Sequence, residues 1–307
     1  MWYALNLQID RLFQVDNRNF IWLPAFRMLG SFLFLLHLLA LFPEIETFWG
    51  ANALVYPEIL SAKTSGIVPT LWDIHQFLEH HVTLSFGTLV RICYYAHILS
   101  LVLLCLGLFT RLAAFCALCL HLIWFFSIEV MMYGADFMTT ICLFYMVVFP
   151  VGQHYSLDAF HRGNWTGNPV HQAFNLTLLQ AHFGMAYFFS GLAKALGPTW
   201  WNGEAVWKAL QTNSYADFTD PGLWADFPVV LQVAGIATVV IELTFPAGIA
   251  FSKTRLFFLV GIVLFHLSIG FLLGLYFFSA IMILINLCAY WFPYLSEMRE
   301  AGKSYAQ

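Results

Sequence analysis

The chain has 307 residues, 61% of them hydrophobic and only 10% charged, with a formal net charge of −4. A soluble domain is about a quarter charged, so an ordinary soluble enzyme is excluded. No basic run supports a nucleic-acid partner, and the chain reads as an integral membrane protein whose first partner is the lipid bilayer.

The N-terminal stretch MWYALNLQIDRLFQVDNRNF carries Asp10 and Asp16 and has no small-residue cleavage site. It does not read as a cleavable leader, so the first apolar segment is expected to stay. Crossing a bilayer takes about 20 apolar residues. The apolar runs then predict eight spans, over 20–42, 87–109, 112–128, 137–151, 173–195, 228–250, 256–274 and 277–292. The expected fold is an all-α polytopic helix bundle. Spans 4 and 8 are short, and spans 3 and 4 are close enough for a tight hairpin.

With the N-terminus inside, the inner segments carry Arg11, Arg18, Arg111, Arg162, Lys253, Arg255, Arg299 and Lys303, and the outer ones only Lys63 and Lys208. This bias predicts that both termini are cytoplasmic. Two long loops, 43–86 and 196–227, then lie outside. Their Trp, Tyr and Pro content suits an ordered cap at headgroup level, and long loops in compact proteins are often functional. No repeat or linker divides the chain, so residues 1–307 are expected to form a single domain. The six cysteines all fall in apolar segments, which argues against a disulfide-stapled outer domain. The C-x-x-C at Cys116 and Cys119 sits inside a span and reads as helix packing.

Ionisable and amide side chains inside spans are expensive and face the bundle interior by default. Here they are Arg27, His37, Arg91, His97, His121, Gln180, His182, Lys194, Glu242 and His266. Arg27 and Arg91 lie near span ends, where snorkelling to headgroups is the plain alternative. Glu242 lies mid-span and is expected to be protonated or paired, with an arginine as the structural partner. The histidines read as interhelical hydrogen-bonding groups, since no two share a metal spacing within one span. In the first long loop, WDIHQFLEHH would place His75 and Glu79 one helical turn apart. A solvated amphipathic helix is the reading preferred over a metal seat, and no metal is expected.

Lys194 stands near the outer end of span 5, about one turn below the surface, with no acid near it in sequence. It is read either as a snorkelling cation or as a desolvated lysine with base character.

The surrounding motif YFFSGLAKALGPTWWNGEAV resembles the catalytic segment of vitamin K-dependent γ-glutamyl carboxylases and of the wider HTTM family of bacterial transmembrane proteins. Tyr187, Phe188, Gly191, Lys194, Trp200 or Trp201, and Gly203 match in order, and Ala193 replaces the first of the family's two lysines. CLGLFTRLAAFCAL is similar to the family's Thr-Arg helix junction, with Arg111. FPVGQHYSLDAF is similar to a later family segment, with Ser156 and Asp158, and Arg27 matches an arginine usual in span 1. The resemblance covers nearly the whole chain and implies a bacterial inner-membrane protein of this family. It departs in two places. MMYGADF puts Ala135 and Asp136 where the carboxylase has a histidine, and the vertebrate enzyme's large extramembrane region is not present.

The resemblance implies an enzyme that uses reduced menaquinone or vitamin K hydroquinone with oxygen to modify a peptide or small molecule at the outer face. Lys194 would be the quinol base and Asp136 its tuning or pairing partner. Tyr133, Tyr187, Trp200, Trp201 and Gly203 would form the quinone site. The alternative is a non-catalytic membrane scaffold that matures, anchors or exports a partner protein docked on the two outer loops.

Overall fold

The computed structural model describes residues 21–63, 66, 68–162, 169–211 and 222–295. Arg11, Arg18, Arg299 and Lys303, half of the inner cations in the sidedness argument, lie outside the described residues, as do Asp217 and Asp220 of the second long loop.

Every described element is helical. The first eight helices are α1 (Trp22–Ala40), α2 (Ile45–Trp49), α3 (Pro57–Lys63), α4 (Leu71–Glu79), α5 (Phe86–Leu106), α6 (Thr110–Ser127), α7 (Gly134–Val148) and α8 (Leu157–Arg162). The next seven are α9 (Pro169–Ala195), α10 (Pro198–Trp201), α11 (Glu204–Gln211), α12 (Gly222–Ala225), α13 (Pro228–Ala250), α14 (Ser252–Leu273) and α15 (Tyr276–Asn286). A π turn over Leu287–Trp291 prolongs α15. Among the described residues, six helices are long and apolar enough to cross a membrane: α1, α5, α6, α13, α14 and α15 with its continuation. All eight expected spans are helical, but two differ from the simple picture. α7 has only 15 residues, short of the roughly 20 a crossing needs. α9 has 27 residues but is diluted by Gln172, Asn175, Gln180, His182, Ser190 and Lys194.

The chain divides into two compact units, one of residues 23–166 and one of residues 167–307 together with those up to Trp22. In the first unit, the long loop after α1 is an ordered cap. The Trp49 indole donates to the carbonyl of Trp124 at 3.3 Å, and the two rings meet edge to face at 4.7 Å. Asp73 and Thr70 form a reciprocal cap at the start of α4, and Asp73 also accepts from Ser61. His75 stacks against Phe86, and the helix Leu71–Glu79 packs on one face while exposing Gln76, Phe77 and Glu79 on the other. No group of three metal-ligating side chains gathers among the described residues.

Arg27 is fully buried and does not snorkel. Its guanidinium donates to four backbone carbonyls: Val151 at 3.2 Å, Leu104 at 2.9 Å, Cys105 at 2.6 Å and Tyr155 at 2.5 Å. Leu104 and Cys105 end α5, where carbonyls have no helical donor. Gly107, with φ of +70°, closes that helix, and any Cβ there would strike the Arg27 guanidinium and Ser156. The planar fork of arginine therefore ties three chain segments together, a role a lysine's single point charge could not fill.

The Thr110 and Ser156–Asp158 motifs meet at the same end. The Asp158 carboxylate accepts from the N–H groups of Phe109 and Thr110, at 2.9 and 2.8 Å, and from the Thr110 hydroxyl at 2.7 Å. It thus caps α6 through space, compensating donors that the helix start leaves unpaired. Burial pushes the Asp158 carboxyl up, but these hydrogen bonds and the Arg162 charge outweigh it and hold the carboxyl below its ordinary value. A carboxyl lowered by folding stabilises above its unfolded pKa, and the gain is lost as pH falls through its folded pKa. Asp158→Asn is expected to cost about 1 kcal/mol. The difference between parent and variant in thermal unfolding should be full at neutral pH and shrink below about pH 4.

Arg91, expected near a span end, pairs with Glu46 at 3.1 Å with both side chains well exposed. Such a pair contributes little.

Candidate functional site

The site lies wholly in the second unit, where α9 and α13 cross. Gly191 on α9 makes the crossing: a Cβ there would run into the backbone of Leu243 and Glu242. Pro246 lies inside α13. It has no N–H to give the carbonyl of Glu242 one turn earlier, so that carbonyl lacks its helical donor while α13 runs on to Ala250. Gly191→Ala is expected to destabilise by about 1–3 kcal/mol, because the obstacle is backbone and cannot rotate aside. Thermal unfolding in detergent measures this, with Gly87→Ala, where a Cβ meets nothing within 4 Å, as control.

Lys194 is committed to Glu242. Its ammonium donates to Glu242 Oε2 at 2.6 Å and to Ser190 Oγ at 2.6 Å, and stands 5.3 Å from the centre of the Trp200 ring. The side chain reaches back along α9, as helical side chains do, so it meets the serine one turn earlier. Glu242 is 14 residues into α13, roughly 21 Å along the axis from Pro228. The end of α9 thus meets α13 far from the terminus of that helix, because α10 and α11 fold over it. The carbonyl of Trp200 lies against Gly235. Gly203, with φ of +84°, brings its backbone against Gln232. Lysine 194 is therefore an ion-paired group beneath a helical cover, and not a snorkelling cation one turn below the surface. Its side chain is 20% exposed and that of Glu242 8%.

A second polar group adjoins the pair. The Tyr187 hydroxyl lies 2.7 Å from His266 Nε2 and accepts from Asn286 Nδ2 at 2.6 Å. Lys194 interacts electrostatically with His266, and Glu242 with Tyr187. Phe245 packs on the Tyr187 ring at 4.6 Å. Below it, the π turn offers the carbonyl of Ala289 to the Gln180 amide at 2.6 Å, and the Tyr290 hydroxyl donates to the carbonyl of Gln180 at 2.7 Å. π turns inserted in helices recur at functional sites.

The structure therefore gathers Lys194, Tyr187, Trp200, Gly203, Glu242 and His266 in one unit. Trp201 is half exposed and donates its indole N–H to the carbonyl of Ala195 at 2.8 Å, closing the turn after α9. His182 stacks on Phe183, away from the pair. Asp136 and Tyr133 belong to the other unit. There the Asp136 carboxylate accepts from the Tyr133 N–H at 3.1 Å and caps α7. The acid on Lys194 is Glu242, not Asp136. Sequence reasoning missed three members of the site. Ser190 lies one turn before Lys194, and Ser279 and Asn286 are polar residues in the otherwise apolar last span, the same signal used for the charged residues.

Fold and site together define a multi-pass membrane protein with a partly buried lysine–glutamate pair in its second unit. A family model of the HTTM domain matches residues 70–292, and the chain belongs to that family. This places it among membrane proteins related to carboxylase-like proteins. No curated protein and no solved structure matches the chain.

Proposed function

We propose that the protein is a membrane-embedded carboxylase-like enzyme in which the Lys194–Glu242 pair accepts a proton from a reduced naphthoquinone such as menaquinol. The observation that carries this reading is the pair itself: a lysine in the family's motif, partly accessible, held by Ser190 and Glu242 beside an aromatic ring.

The residues present fit such a ring. Trp200 and Tyr187 supply aromatic faces, Phe188 and Phe189 are exposed on the same helix where a lipid-soluble tail would lie, and buried polar atoms of His266 and Asn286 have no partner among the described residues. When bound, the quinol supplies reducing equivalents and, with dioxygen, the strong base that carboxylation requires.

The chain's own task is proton transfer. The step requires the neutral form of the pair, amine beside carboxylic acid. In the neutral form Lys194 Nζ carries a lone pair. It would take the proton of a bound hydroxyl, with Glu242 staying protonated. Total charge is unchanged, so no net charge is buried by the step. Ser190 fixes the direction of Nζ, and the cover of α10 and α11 limits water.

A second reading, a scaffold that docks a partner protein, draws on the loop between α1 and α5, which exposes Leu54, Tyr56, Ile59 and Phe77. The two readings separate in nanodiscs. Reduced menaquinone and oxygen should give quinone epoxide, detected by mass spectrometry, with the parent protein and none with Lys194→Met. A parent that forms no epoxide, yet retains a partner lost when Leu54, Ile59 and Phe77 are made serine, would favour the scaffold.

A further inference from the structure

Three side chains form a chain whose proton positions can be deduced. Asn286 Nδ2 lies 2.8 Å from the carbonyl of Met282, one turn earlier in α15. A carbonyl only accepts, so this contact fixes the amide orientation. The other Nδ2 hydrogen goes to the Tyr187 oxygen at 2.6 Å, and that oxygen is therefore the acceptor. Among the described residues His266 Nε2, at 2.7 Å, is the one acceptor within reach of the Tyr187 hydroxyl hydrogen, so Tyr187 donates to it. A neutral imidazole that accepts at Nε2 carries its proton at Nδ1.

The Nδ1–H so defined is an orphan. His266 is 2% exposed, and its Nδ1 has no hydrogen-bond partner among the described residues. The same is true of Asn286 Oδ1 and Ser279 Oγ. Ser279 and Asn286 are two turns apart on one face of α15, and Gly270, one turn after His266 on α14, packs against Ser279. Buried polar groups are rarely left unpaired, since each costs about 1–3 kcal/mol. A donor kept in a single tautomer by two successive hydrogen bonds, and not itself used, is preorganised for an acceptor that arrives later.

We infer that His266 is a binding residue that donates from Nδ1 to an oxygen of the naphthoquinone ring, with Tyr187 and Asn286 as positioning residues that hold its tautomer. The inference rests on the reading proposed above for the identity of the ligand. It gives that ligand two anchors of different kind: Lys194 at the hydroxyl that loses its proton, and His266 at an oxygen that accepts a hydrogen bond. A neutral donor strengthens its bond as negative charge develops on the ring oxygens, so the contact favours the ionised form.

The test uses the whole protein in nanodiscs with ¹⁵N-labelled histidine, and His266→Phe to assign the signal. The probe is 2-methyl-1,4-naphthoquinone, and binding is followed separately by quenching of tryptophan fluorescence. His266 in the parent should carry its proton on Nδ1, and that nitrogen should shift when the probe is added. Tyr187→Phe should release the tautomer into a mixture, and His266→Phe should weaken probe binding roughly fivefold. Quenching without any shift at His266, or a proton found on Nε2, overturns the inference and leaves the proposed function standing. No quenching at any probe concentration overturns both.

Discussion

Lys194→Met is expected to lower quinol-dependent turnover by roughly 10²- to 10⁴-fold, the range attributed to one positioned proton acceptor, with a small change in stability. The asymmetry follows from burial. Methionine keeps most of the lysine's length and packs in the same channel beside Trp200. Glu242, left alone at 8% exposure, escapes the cost of an unpaired buried charge by taking a proton. The reverse change, Glu242→Gln, leaves a lysine that can lose its proton in the same way, so the fold again survives. That variant keeps the amine but loses the carboxyl that holds the second proton. Its turnover is expected to fall less. Turnover in nanodiscs beside thermal unfolding distinguishes these effects. A Lys194→Met protein as active as its parent would leave the pair with a structural role only.

The largest expected effect on stability is at Arg27. Arg27→Met removes the donor from four carbonyls in one step, at Leu104, Cys105, Val151 and Tyr155. Each buried acceptor left unpaired costs about 1–3 kcal/mol, and partial relaxation reduces the total. A loss of roughly 3 kcal/mol or more is a large part of the 5–15 kcal/mol that stabilises a typical domain. Tyr155 adds to this. It holds φ of +49°, an uncommon conformation for a residue with a side chain, and its carbonyl meets Arg27. Arg27→Lys should recover only part of the loss, because an ammonium cannot span four carbonyls on two segments. Unfolding temperature and yield in detergent measure both. An Arg27→Met protein as stable as the parent would contradict the staple described here.

Much of this architecture was legible in the sequence because hydrophobic length is a direct signal in a membrane protein. All eight apolar runs are helices, although Gly134–Val148 is short and Pro169–Ala195 too polar to meet a strict apolarity requirement. The expense of a buried ion also pointed at Lys194, Glu242 and His266, which the structure brings into one unit. What sequence could not supply was partnership. Lys194 and Glu242 are 48 residues apart, and nothing in spacing links them, so Asp136 was the natural acid to consider. Asp136 instead has a local use, capping its own helix, as aspartates at the third helical position often do. Arg27 looked free to snorkel because hydropathy marks its distance from a span end but not the carbonyls that converge on it. The Thr110 and Asp158 motifs, 48 residues apart, are two halves of one cap.

The central claim is that Lys194 acts by giving up and regaining a proton, and Lys194→Arg tests it most directly. A guanidinium keeps the charge and the contact with Glu242 but is never deprotonated under working conditions. Parent and variant should be compared in nanodiscs with reduced menaquinone and oxygen, with quinone epoxide measured by mass spectrometry and unfolding measured on the same samples. The account predicts epoxide from the parent, none from the arginine variant, and unfolding temperatures that agree closely. An arginine variant that still forms epoxide, or a parent that forms none, would contradict it.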